Sequence, residues 1–136
     1  MKGGDFTGAK LTGVDLSRAD LTESVLENAE IRNSFLAGAD IRNANFKNAN
    51  LEGSDLSGAK LTKAIFHRAN LKNSNLHRAD LEHADFSKAN LSQANLAGTK
   101  LADANFSNAI LTDADFSGAD TTDTDFSDSK GYKKRD

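Results

Sequence analysis

A single spacing governs this chain. From Phe6 to Phe126, every fifth residue is Leu, Ile or Phe at 24 of 25 positions, Thr121 being the exception. Two residues before each of these sits a small residue, as at Ala9, Ala19, Ser24, Ala29 and Ser34, and only Val14 is larger than Thr in that register. Between the small and the large residue stands most often Asp or Asn, as at Asp15, Asn45, Asp85 and Asp115. A period of five fits neither regular element. On an α-helix, steps of five wind the large residues around every face. In a continuous strand an odd period sends them to alternate sides. What satisfies it is a short extended piece with two inward residues spaced by two, followed by a corner. Repeated without insertion, that unit bends the chain into a coil.

The number of corners per coil follows from the phenylalanines. Six of them (Phe6, Phe46, Phe66, Phe86, Phe106 and Phe126) share one column at a period of 20, whereas a period of 15 scatters them. Four units per turn give an all-β, four-sided parallel solenoid of about six coils, with rings stacked on one wall. The corner residues change along the chain. From Gly8 to Gly58 the second polar position is Gly or Asn at 9 of 11 units, and afterwards at only 4 of 14. Gly and Asn tolerate the φ > 0 of a type II turn. The sequence therefore predicts type II corners in the N-terminal half and mostly other turn types after Lys63, without φ > 0 at Arg68 and Arg78.

The runs ADLTE, ANLEG, ANLKN, ADLEH and ANLSQ resemble the pentapeptide-repeat family, over residues 4 to 129. The resemblance implies a right-handed quadrilateral β-helix. It implies little about activity, since most members have none assigned. Some members, of the quinolone-resistance type, are thought to imitate duplex DNA and bind type II topoisomerases. The charges weigh against that role here. Duplex DNA carries one negative charge per about 1.7 Å, so about 30 Å of it would present roughly 18. This chain has a net charge of −3. It also lacks the apolar C-terminal dimerisation segment and projecting loops of that subgroup.

Composition narrows the function further. Without cysteine there is no disulfide, thiolate metal site or Cys nucleophile. No run is long and apolar enough to span a membrane, and no signal peptide opens the chain, so a cytoplasmic protein is expected. The glycines are spaced by fives, unlike a phosphate-binding loop. His67, His77 and His83 fall on three different walls and do not converge on a metal. Ser24, Ser34, Ser54 and Ser74 fill the inward small position with no base beside them, and the aspartates occupy a register suited to bonding local backbone. No catalytic, cofactor-binding or metal residue is expected, and the chain reads as a non-catalytic interaction scaffold whose partner is another protein, with no direct nucleic-acid or membrane binding.

Candidate contact residues are the four apolar side chains in outward registers, Val25, Phe35, Ile65 and Ile110, together with Arg68 and Arg78 of the repeated HRA triplet. The wall through Leu11, Ile31, Leu51 and Leu71 is the more basic, and that through Leu21, Ile41 and Leu61 the more acidic. Along the axis, residues 5–30 carry six acids and two bases, 31–80 eight bases and four acids, and 113–128 six acids and no base. The repeat is expected to occupy residues 1–130 and a basic flexible tail residues 131–136. Uncapped ends suggest a homodimer by end-on stacking, or a last coil that frays near Thr121–Lys130.

Overall fold

The computed structural model describes residues 1–133. Twenty-two parallel bridges link residues 20 apart, from Asp5 with Val25 to Ile110 with Lys130. Four five-residue units therefore make one coil, and the chain completes six coils and begins a seventh. Each bridge falls on the residue before a centre position, so the walls are best named by their bridge columns. These are the Asp5 wall (5, 25, 45 and on to 125), the Lys10 wall (10 to 130), the Asp15 wall (15 to 115) and the Asp20 wall (20 to 120). The phenylalanine column stacks as the period of 20 requires. Phe46, Phe66, Phe86 and Phe106 follow one another with ring centroids 4.9 Å apart and planes within 7° of parallel. That spacing is the strand separation of a β-sheet. Leu26 stands in the same column and separates Phe6 from the stack.

Backbone accounting explains why the unit has five residues and why its second is Asp or Asn. In the unit Ser54–Gly58, the Ser54 N–H closes the preceding corner on the Leu51 carbonyl at 3.0 Å. The Asp55 N–H donates back one coil to Ser34, and the N–H groups of Leu56 and Gly58 donate forward to Asn75 and His77, at 2.7–2.9 Å. One donor remains, that of Ser57. The Asp55 side chain accepts it at 2.9 Å. The same Asx cap recurs along the chain, by aspartates such as Asp15, Asp80 and Asp85 and by asparagines such as Asn45, Asn70 and Asn95. A backbone donor at a tight corner is thus satisfied by the residue already in place.

The expected change of corner type after Lys63 does not occur. Arg68 has φ 61° and Arg78 φ 58°, and every corner in the second half takes the same positive φ, including Lys63, His83, Lys88 and Gln93. The reason is the ladder. The corner N–H of Arg68 donates to the Ser87 carbonyl one coil on, at 3.0 Å, and that of Arg78 to Ala97 at 2.9 Å. A different turn would break that bond and misplace the next wall. The cost of a left-handed L-residue, about 1–2 kcal/mol, is outweighed by keeping the coils in register.

The core is the two inward columns. Leucines from Leu21 to Leu101, the isoleucines Ile31 and Ile41, and the stacked rings from Phe46 to Phe106 are fully buried, with alanines beside them. Where Ser replaces Ala, its hydroxyl must find an acceptor. Ser54 Oγ donates to the Ile31 carbonyl at 2.6 Å and accepts the Ser34 N–H at 3.2 Å. Ser24 bonds Leu21 and Ser34 bonds Leu11. Ser74 Oγ is buried with no hydrogen-bond partner among the described residues. Ala94 follows it in the same column, so Ser74→Ala should fit without strain and raise stability by about 1 kcal/mol. Thermal unfolding monitored by circular dichroism checks this; a lower Tm would mean the hydroxyl has an acceptor after all.

The C-terminal end is partly covered by the chain that follows the last coil. The last coil stays in register through bridges at Asp120, Asp125 and Lys130. Beyond it, Gly131 turns with φ 83° close against Thr112, where a Cβ would lie 2.7 Å from the Thr112 Cα. Tyr132 then lays its ring on Phe126, with centroids 3.7 Å apart and planes 5° from parallel, and stands edge-on to Phe116 at 5.2 Å. The first residues assigned to a flexible tail thus pack on the core, and residues 134–136 lie outside the described residues. The inward residues of both ends are only partly covered, Ala114, Ala119 and Phe126 here and Phe6, Leu11 and Val14 at the other end.

Candidate functional surface

The four walls make up most of the surface of such a rod. The shallow depressions on the surface include one of about 450 Å³ near Asp113, Phe116 and Gly131, and one of about 240 Å³ near Lys2, Glu23 and Arg42. Among the described residues, no three His, Asp or Glu side chains are grouped to hold a metal ion, and no helix is long and apolar enough to cross a membrane.

The four outward apolar residues do not come together. Val25 and Ile65 share the Asp5 wall with Asn45 between them. Phe35, the most exposed at 52%, lies on the Asp15 wall between Asp15 and Asp55. Ile110 lies on the Lys10 wall between Asn90 and Lys130. Scattered over three walls, they build no continuous apolar patch. Arg68 and Arg78 occupy corners half a coil apart, on opposite sides of the rod. Of the histidines, His67 Nδ1 pairs with Ser87 Oγ at 2.7 Å, and His83 lies 3.9 Å from Asp103.

Several capping aspartates are held below the usual carboxylate range. Asp5, Asp20 and Asp120 each accept a hydroxyl hydrogen bond at 2.6 Å, from Thr7, Thr22 and Thr122, and then the backbone N–H of the same residue. Asp40 takes a two-pronged bond from Arg42, at 2.8 and 2.7 Å. Hydrogen bonds to the ionised form favour it. A carboxyl more acidic in the folded than in the unfolded chain stabilises the fold above its unfolded pKa, and that contribution is lost as pH falls. The Tm should hold level above about pH 5 and drop below about pH 4. The triple variant Asp5→Asn, Asp20→Asn, Asp120→Asn should drop less steeply, because an amide oxygen still caps and does not titrate. Equal slopes from pH 5 to 3 would show that other groups set the acid limit.

Asp and Asn make the same cap at similar length, 2.9 Å from Asp85 and 3.0 Å from Asn45, yet they leave different groups in solvent. After the cap is made, Asp shows a second acceptor and a negative charge. Asn shows an NH₂ with two donors. Each wall's bridge column therefore writes its surface chemistry without altering the fold. The Asp20 wall reads Asp20, Asp40, Lys60, Asp80, Lys100, Asp120, with no Asn. The opposite Lys10 wall reads Lys10, Glu30, Asn50, Asn70, Asn90, Ile110, Lys130, with no Asp. Counting charges finds the second wall more basic, but it misses the asparagine donors because it treats Asn as neutral filler. The signal available was Asn at a spacing of 20.

The chain matches the pentapeptide repeat region family over residues 1–76 and 59–131. It is a pentapeptide-repeat protein. Among solved structures it is similar to the pentapeptide repeat protein Rfr23 of the cyanobacterium Cyanothece 51142, at 26% identity and a TM-score of 0.57, over 96% of this chain and 86% of that one. A pentapeptide repeat protein of the Arabidopsis thaliana thylakoid lumen is 32% identical over 83% of this chain and 68% of its own, with a TM-score of 0.30. QnrB1, a plasmid-mediated fluoroquinolone resistance protein, in a trypsin-treated variant, is 21% identical over 93% of this chain and 74% of its own, with a TM-score of 0.48. A search of curated protein sequences finds no match. The pentapeptide-repeat fold, a right-handed quadrilateral β-helix, is the fold of this chain.

Proposed function

We propose that this pentapeptide-repeat protein is a non-catalytic scaffold whose walls bind another protein. The observation that carries the reading is the unbroken ladder. Twenty-two bridges run without a bulge or insertion, so outward side chains stand in fixed columns one strand spacing apart. A surface ordered before contact loses little conformational entropy on binding, and this favours recognition by a rigid face. The alternative, imitation of duplex DNA before a type II topoisomerase, needs a continuous acidic wall. The Asp20 wall is interrupted by Lys60 and Lys100. Affinity capture with the intact chain, run beside a DNA gyrase supercoiling assay, tests the two readings. The scaffold reading expects a partner retained through washing and no effect on supercoiling. Inhibition at micromolar protein would replace it with the DNA-mimic reading.

A further inference from the structure

We infer that the Lys10 wall is the docking face, and that it takes an extended acidic segment of a partner protein. The inference rests on the scaffold reading and names its site and the chemistry of its partner. Three asparagines form the middle of the wall, Asn50, Asn70 and Asn90, on consecutive coils. Each spends its oxygen on a corner N–H, of Glu52, Lys72 and Ser92, at 3.0–3.1 Å. Their amide nitrogens are what remains for a ligand. That of Asn50 reaches Glu30 at 3.0 Å; those of Asn70 and Asn90 make no hydrogen bond among the described residues. The corners that border these coils add the exposed cations Lys47, Arg68, Lys72 and Lys88 against one acid, Glu52. None of the four cations forms an ion pair among the described residues, where the pairs are Arg32 with Glu30, Arg42 with Asp40 and His83 with Asp103.

A strip of N–H donors bordered on one edge by Lys47, Arg68 and Lys88, and on the other by Lys72, complements a ligand that presents acceptors and negative charge. An extended peptide rich in Glu or Asp does both, through its main-chain carbonyls and its carboxylates. The other walls lack this combination. Aspartate punctuates the Asp5 and Asp15 walls, and the Asp20 wall presents no amide donor at all.

The test uses the capping equivalence of Asn and Asp. The variant Asn50→Asp, Asn70→Asp, Asn90→Asp keeps every cap, as Asp55, Asp80 and Asp85 show, but turns the strip from donor to acceptor. A control with the same added charge, Asn75→Asp, Asn95→Asp, Asn105→Asp, alters the two neighbouring walls and also keeps its caps. The probe is a fluorescein-labelled ten-residue peptide of alternating Glu and Ser, titrated by anisotropy in 50 mM salt. Saturable binding is expected, weakened at least tenfold in the first variant and within about twofold in the control, with unchanged circular dichroism in both. Absence of saturable binding, or equal loss in both variants, overturns the inference. Tighter binding of a single-stranded DNA oligonucleotide with the same sensitivity to the first variant overturns the choice of a protein partner. If a captured partner survives the first variant and is lost on changing another wall, the docking site fails while the scaffold reading stands.

Discussion

Leu76→Asp should abolish the cooperative unfolding transition of this protein at 25 °C. Leu76 has no exposed surface, and it lies between Leu56 and Leu96 of the neighbouring coils in a column with no polar side chain. A carboxylate placed there would lose its water and gain no partner, at a cost of several kcal/mol even after relaxation. Total stabilities of single domains are about 5–15 kcal/mol, so one such charge consumes much of the margin. In a solenoid each coil rests on the next, so breaking this central coil also exposes a face on each of its two neighbours. Leu76→Ala is the companion that keeps the fold, and it should lower stability by about 2–5 kcal/mol. Urea unfolding followed by far-ultraviolet circular dichroism measures both. A midpoint for Leu76→Asp near that of the parent would mean that the column opens to solvent.

The second large effect is expected in the ring stack. Phe86 touches Phe66 on one side and Phe106 on the other, with centroids 4.9 Å away in each direction. Phe86→Ala removes two stacked contacts and leaves a cavity that the fixed coil spacing cannot close, for a loss of about 3–5 kcal/mol. Phe86→Leu should cost under about 1.5 kcal/mol, because a leucine fits this column natively at Leu26 and the volume change is small. The ratio of the two is the informative quantity. Equal losses would point to a specific requirement for aromatic stacking rather than for filled space. A loss below 1 kcal/mol for Phe86→Ala would show that the wall relaxes inward.

These two positions illustrate how far the sequence could be read. The five-residue period excludes helix and continuous strand by geometry, and the phenylalanine column sets the coil at 20 residues because rings on one wall must repeat with the coil. The bridges and the ring spacing agree with both. The corner at Arg68 was not legible. Local preference argues against a positive φ there, and it was the decisive term only while the corner was considered alone. Once the Arg68 N–H is needed by the Ser87 carbonyl, the ladder overrides the preference. Tyr132 was equally hidden. In the sequence it belongs to a short polar tail, and only the turn at Gly131 brings it onto Phe126.

The candidate surface divides in the same way. The wall of each side chain follows from its position modulo 20, so the scatter of Val25, Phe35, Ile65 and Ile110 was contained in the numbering. What Asn50, Asn70 and Asn90 present was not. Their register identifies them as corner caps, but which atoms remain for a partner depends on where the backbone donors lie, and that is a property of the folded coil. The sequence alone determined the coil, its four walls and its buried columns, because a strict repeat leaves one arrangement that buries every large residue. The tertiary structure decided the corner conformation, the packing of Tyr132 on the last coil and the donor face, because each depends on hydrogen bonds or contacts between residues about 20 positions apart or across a corner.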